Sequence, residues 1–169
     1  MISPHDVTGV TVTGSDDMYG IHPHDLDAIF RRTLQPFNSS LTRWMIGGGY
    51  GVDLHFLHWI TNHQTMGYVH MVVPHKVKDL VPDVQRAMDL AARSHDDFDV
   101  TELDLDLYSP EKGYASRPEP EFAAAREMVN HSQIVVGFPH ESKPASITNF
   151  TLSYAASLGL PRVIWPVGK

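Results

Sequence analysis

The chain of 169 residues contains no cysteine. That absence removes disulfides, thiolate metal sites and cysteine nucleophiles together. It fits a reducing compartment, so a cytoplasmic setting is expected. Long hydrophobic runs are missing too. Nothing approaches the ~20 apolar residues that a membrane helix needs, and the N-terminus shows neither the basic nor the apolar segment of a signal peptide. No membrane partner is expected. A basic stripe is also lacking. Thirteen Lys and Arg stand against twenty Asp and Glu, a formal net charge of −7, and the basic residues are scattered. Polynucleotide binders concentrate positive charge, because phosphate neutralisation supplies most of their affinity. A polynucleotide partner is disfavoured on this ground. There is no HExxH or comparable metal signature, so neither a metal nor a cofactor is expected.

Hydrophobic residues make up 42% of the chain, which suits a folded core and a single domain over residues 1–169. Strands are expected at 7–13, 42–46, 68–73, 100–107, 133–138 and 163–165, where β-branched or alternating residues end at Gly or Pro. Helices are expected from Pro23 to Leu34, and at 52–63, 80–93, 122–130 and 146–158, with apolar residues at helical spacing. Pro23 suits a first helical turn, and Gly159 suits a helix end. The alternation predicts an α/β fold: a Rossmann-like three-layer α/β/α domain with a mostly parallel sheet of about six or seven strands. The Thr-Glu-Leu-Asp-Leu-Asp-Leu alternation places the fourth strand near a sheet edge. Residues 108–120 read as a long loop. Ligands in such sheets sit beyond the carboxyl ends of the strands.

Three segments at those ends carry chemistry. Gly14-Ser15-Asp16 follows the first strand; Gly14 allows a sharp turn, and Ser15 offers a hydroxyl to a phosphate. Gly47-Gly48-Gly49-Tyr50-Gly51-Val52-Asp53 joins the second strand to a helix. Four glycines in five positions exceed what a turn needs. They suit converging backbone N–H groups over an anion, reinforced by the helix N-terminus. Asp53 either caps the helix or holds a ribose hydroxyl. The third segment, 139–148, contains Pro139, Lys143, the candidate N-cap Ser146, and Thr148 in the first turn. Simple capping is the competing reading for Ser146.

The eleven histidines raise a metal hypothesis, since His55 and His58 share a helix face. Without a spacing signature, scattered structural and surface roles are preferred. His22, His75 and His140 lie near strand ends and are candidate pocket residues. In the expected loop, Tyr108, Tyr114 and Arg117 either cover a base or pack the loop down. Trp44, Trp59 and Trp165 read as core or interface residues.

The order of these motifs resembles the SLOG superfamily of Rossmann-like domains, which includes the DNA-processing protein A domain and the lysine-decarboxylase-like "lonely guy" phosphoribohydrolases. Gly48-Gly49-Tyr50-Gly51-Val52-Asp53 is similar to the group's GGxxGxD turn, Gly14-Ser15 to its glycine-serine after the first strand, and Ser146-Ile147-Thr148 to its Ser/Thr-rich helix start. The resemblance spans residues 8–167. It implies nucleotide-related binding at Gly14, Ser15, Gly48, Gly49, Tyr50, Gly51, Asp53, Pro139, Lys143, Ser146 and Thr148. Relatives of this fold often pair through helices, so a homodimer is an expected possibility. The chain departs from the phosphoribohydrolase branch, which has a PGGxGT turn and a following Glu. Here the loop reads Pro139-His140-Glu141-Ser142-Lys143 without glycine, and 146–158 contains no acid.

Two readings result. The first is a module that senses or sequesters a nucleotide-like, phosphate-bearing small molecule. The alternative is a nucleotide-processing N-glycosidase, a phosphoribohydrolase or deoxyribosyltransferase-like enzyme, with Asp53 and Glu141 as candidate catalytic carboxylates.

Overall fold

The computed structural model describes residues 3–63, 67–105, 108–109, 113–114, 118–143 and 146–168, with the side chains of 108–109, 113–114 and 118–119 outside that description. In chain order the elements are β1 (Gly9–Gly14), α1 (Pro23–Thr33), β2 (Arg43–Gly47), α2 (Val52–His63), β3 (Tyr68–Val73), α3 (Pro82–Ser94) and β4 (Phe98–Glu102). They continue with β5 (Tyr108–Ser109), β6 (Gly113–Tyr114), α4 (Pro118–Asn130), β7 (Ile134–Phe138), α5 (Ile147–Ser157) and β8 (Arg162–Ile164). Six strands form one sheet in the order β4-β3-β2-β1-β7-β8, and every pairing in it is parallel. The Rossmann-like α/β architecture expected from the sequence is the one observed.

The pleat sorts the side chains. Trp44 and Ile46 join the large core under α1, α2 and α3, whereas Met45 between them joins Ala124 and Met128 of α4 on the opposite face. Central strands are covered on both sides, so all five residues of β7 are buried; continuous apolar sequence is the expected signature. Phe30, Phe56, Trp59 and Phe138 meet with ring centroids 5.3 to 6.0 Å apart and weld α1 and α2 to the sheet. Such rings add attraction beyond their buried area.

Strand order decides where a ligand can sit. The chain steps outward from β1 to β4, laying α1 to α3 on one face. It then returns to β7 beside β1, with α4 and α5 on the other. The direction of winding reverses between β1 and β7, which is where loops part and leave a crevice.

Two elements differ from the sequence expectation. β4 ends at Glu102 instead of continuing to 107. Asp104 has φ 50°, a left-handed conformation that a strand cannot carry. Beyond it, the Leu105 N–H still donates to the Pro74 carbonyl at 3.0 Å. β4 does lie at a sheet edge. The segment 108–120 holds the antiparallel pair β5–β6 and the start of α4 at Pro118. The side chains of Tyr108, Tyr114 and Arg117 lie outside the described residues. Among the described residues, no helix is long and apolar enough to cross a membrane.

Candidate functional site

A cleft of about 1460 Å³ opens at the carboxyl ends of β1, β2 and β3, closed on the far side by α4 and the start of α5. The sequence-derived residues Gly14, Ser15, Gly48, Gly49, Tyr50, Asp53, Lys143, Ser146 and Thr148 all line it. Gly51, Pro139 and Glu141 do not. Gly51 is buried, with φ +83°, and a Cβ there would strike the Ser15 carbonyl and the Asp16 backbone. It is glycine because the start of α2 is pressed against the β1–α1 loop, where the Val52 N–H donates to the Ser15 carbonyl at 3.0 Å. The Pro139 carbonyl accepts the Val167 N–H at 2.9 Å. Glu141 is exposed on a turn. The two candidate carboxylates therefore do not share the cleft.

The glycine turn is partly filled by its own helix. Asp53, in the first turn of α2, folds back so that Oδ2 accepts the Gly49 N–H at 3.1 Å. A Cβ on Gly49 would lie 2.8 Å from that oxygen, and one on Gly47 3.1 Å. Loss of solvent around Asp53 pushes its pKa from 3.8 up to about 7; the Gly49 bond opposes the rise and the charge of Asp16 adds to it. Near neutral pH this group is therefore divided between carboxylate and carboxyl.

Across the crevice, the β7–α5 loop is cross-linked to the β1–α1 loop. Lys143 Nζ lies 3.4 Å from Asp17 Oδ2 and 3.8 Å from Asp16 Oδ1. The Tyr19 N–H, donated to Asp17 Oδ1 at 2.9 Å, holds the Asp17 carboxyl below its usual range; Lys143 adds to this and burial opposes it. His140 is 3% exposed. Its Nε2 lies 3.0 Å from the Tyr19 carbonyl, which only accepts, so the proton belongs on Nε2. Nδ1 then accepts from the Ser142 hydroxyl at 2.7 Å and the Ser142 N–H at 3.2 Å. Ser146 caps α5 by accepting the Asn149 N–H at 3.2 Å, and Thr148 is 2% exposed.

The opposite wall comes from His75, a candidate pocket residue in the sequence, and from neighbours that carry no such assignment there. His75, Lys76, Lys78, Asp79 and Leu80 follow β3, and Asp104 and Leu105 follow β4. His75 Nδ1 donates to the Leu105 carbonyl at 2.9 Å, and Lys76 Nζ is 3.6 Å from Asp104. The third wall is aromatic. Phe122 and Phe150 stack with centroids 4.0 Å apart, with Arg126 5.8 Å from the Phe150 centroid. Tyr50 is 47% exposed in the glycine turn. His75 thus lines the cleft as expected of a strand-end histidine; His22 is exposed and does not. The rings of His55 and His58 are 6.4 Å apart, and among the described residues no group of three or more metal-ligand side chains converges. Extending the strand-end rule from His75 to Lys76 and Lys78 finds the rest of the second wall. Nothing local marks Phe122 and Phe150, which meet only through the packing of α4 on α5. Among the described residues the lining carries five carboxylates (Asp16, Asp53, Asp79, Asp104, Glu121) against Lys76, Lys78 and Lys143.

No family model matches the chain, and no curated protein sequence matches it. Solved structures do. DNA processing protein A from Streptococcus pneumoniae superposes with a TM-score of 0.65 and 14% identity, over 98% of this chain and 53% of that one. DNA processing protein A from Helicobacter pylori, solved for its single-stranded DNA binding mode, gives a TM-score of 0.61 and 12% identity, over 97% of this chain and 68% of that one. The chain spans about half the length of the first protein and two thirds of the second. At these identities the likeness is one of fold: the chain has the Rossmann-like fold of DNA processing protein A, as the resemblance implied. The finding corrects one expectation. Net charge was taken to disfavour a polynucleotide, yet the Helicobacter pylori protein, which shares this fold, is one that binds single-stranded DNA. Binding answers to the local field in a groove, which a whole-chain sum of −7 does not report.

Proposed function

We propose that the protein binds a nucleotide unit in the cleft at the carboxyl edge of its sheet. The carrying observation is the position of that cleft, at the reversal between β1 and β7, where open α/β sheets hold ligands. Its volume of about 1460 Å³ exceeds the ~300–1,000 Å³ of ordinary small-molecule sites. Its walls divide the work: Tyr50, Phe122 and Phe150 offer faces to a base, while Lys143 on one flank and Lys76 and Lys78 on the other offer charge to phosphates. In this reading the ligand is phosphate-bearing, and the protein senses or sequesters it in the cytoplasm.

A second reading has its own support. The shared fold with a single-strand binder, together with the size of the cleft, favours a nucleotide unit that belongs to a single DNA strand. Bases stack on aromatic faces without sequence preference, at ~1–3 kcal/mol each. Catalysis finds less support, since Glu141 lies outside the cleft and Asp53 would act without it.

Thermal shift against nucleoside mono- and diphosphates and a short oligothymidylate tests these readings. The first expects stabilisation by mononucleotides, and the second expects it only with the oligomer, weakened by salt. Chromatography of the same mixtures for free base reports glycosidase activity. No stabilisation by any of these ligands would overturn both binding readings.

A further inference from the structure

The glycine turn is not an empty anion cradle. Its concave side holds the Asp53 carboxylate, whose Oδ2 takes the Gly49 N–H at 3.1 Å and sits where Cβ atoms on Gly47 and Gly49 would otherwise crowd it. Among the described residues Asp53 makes no other hydrogen bond. Another acid, Asp16, stands close enough to act on it electrostatically. Lys143, which lines the same cleft, faces Asp16 and Asp17. Asp53 therefore leaves one carboxylate oxygen to the cleft, and among the described residues no cation is ion-paired with it.

Two oxyanions do not share such a place. A phosphate laid over Gly47–Gly49 would have to displace Asp53 Oδ2 from Gly49 or, at pH 8 where Asp53 is mostly ionised, sit beside it as a like charge in partly desolvated surroundings. An uncharged donor meets the opposite situation. A hydroxyl or amino group can donate to the spare carboxylate oxygen, a charge-assisted bond stronger than a neutral one. Tyr50, next to Gly49 and half exposed, borders the same place with an aromatic face.

We propose that Asp53 makes the glycine turn the nucleoside end of the cleft, accepting a hydrogen bond from a sugar hydroxyl or a base amino group and excluding phosphate from the turn. Phosphate then belongs on the lysine-bearing flanks. This inference rests on the nucleotide reading above and assigns its specificity: Asp53 selects a neutral donor, and the fold's glycine turn serves recognition of the sugar or base.

The test is calorimetric titration at pH 8, where Asp53 is mostly ionised, of the wild type and of Asp53→Ala with inorganic phosphate, with the four ribonucleosides, and with their 2′-deoxy forms. Asp53→Asn serves as a second variant. It has the same shape, its carbonyl can keep the Gly49 bond, and its amide would turn a donor into the cleft. Removing the acceptor should weaken ribonucleoside binding about tenfold or more, while inorganic phosphate changes less than about threefold, the small gain expected from deleting one distant charge. A loss that vanishes with 2′-deoxyribonucleosides places the donor on the sugar; one that persists places it elsewhere on the nucleoside; either supports the assignment. Phosphate affinity rising about tenfold in both variants would show that the turn is a phosphate cradle held closed by Asp53, and would overturn it. So would unchanged nucleoside affinity in a wild type that binds nucleosides, which leaves the nucleotide reading standing. A wild type that binds no nucleoside and no nucleotide would bring down both.

Discussion

Asp53→Asn should stabilise the fold, and the gain should depend on pH with a definite sign. In the native state the group titrates at about 7 and outside it at 3.8. Between those values the folded chain holds a proton that the unfolded chain has released. Stability contributed by this group is therefore present below pH 4 and lost as pH rises through 7. A displacement from 3.8 to about 7, at ~1.4 kcal/mol per pH unit, corresponds to about 4 kcal/mol. Asp53 keeps some contact with solvent, so roughly 2–4 kcal/mol is the working range. Asparagine has nearly the same shape, can keep the Gly49 bond through its carbonyl, and does not ionise. Urea unfolding of wild type and variant at pH 4, 6 and 8 is the assay. Near pH 4 the two curves should almost coincide. By pH 8 the variant should be ahead by ~2–4 kcal/mol, or roughly 5–15 °C in Tm for a chain of this size. Other titrating groups act on both proteins alike and cancel in the difference. A difference that stays constant from pH 4 to pH 8, or a variant less stable at pH 8, would refute the reasoning.

Three further outcomes are expected. Gly51→Ala forces a side chain onto φ +83° and into the Ser15 carbonyl, whereas Gly159→Ala meets φ +73° with open space around it; the first should cost ~2 kcal/mol or more, the second ~1, compared by urea midpoints. Ser146→Ala removes the α5 cap and should cost about 1 kcal/mol, with loss of protection from hydrogen exchange at the first turn of α5 as the local readout. Lys143→Ala breaks exposed ion pairs with Asp16 and Asp17; it should change stability by less than ~1 kcal/mol, yet weaken phosphate-bearing ligands and flatten their salt dependence in the same titrations.

Much of the fold was legible because hydrophobic period and punctuation agree along the chain. α2 and β3 have the bounds read from the sequence, for each is bracketed by glycine or proline and has one clear period. β4 was read too long because the Leu–Asp alternation runs past Glu102, and nothing in composition announces the left-handed Asp104. The glycine segments at the ends of β1 and β2 were legible as cleft lining through topology alone. Their occupant was not. Whether Asp53 caps, binds or folds back depends on a side-chain rotamer, and rotamers are set by surroundings rather than by spacing. The aromatic wall stayed hidden for a similar reason: Phe122 and Phe150 are 28 positions apart and become one surface only when α4 lies on α5.

The cross-link through His140 bears on how anything enters. One imidazole ties the Tyr19 carbonyl to Ser142, and Lys143 adds ion pairs to Asp16 and Asp17. The loops on the two sides of the β1–β7 reversal are thus tied to each other by hydrogen bonds and ion pairs. Across the cleft stands the segment from His75 to Val81. It is fastened by the His75–Leu105 bond, the exposed Lys76–Asp104 pair and the bond from the Val77 N–H to Glu102. Each flank of the cleft is thus tied within itself, and none of these bonds crosses from one flank to the other.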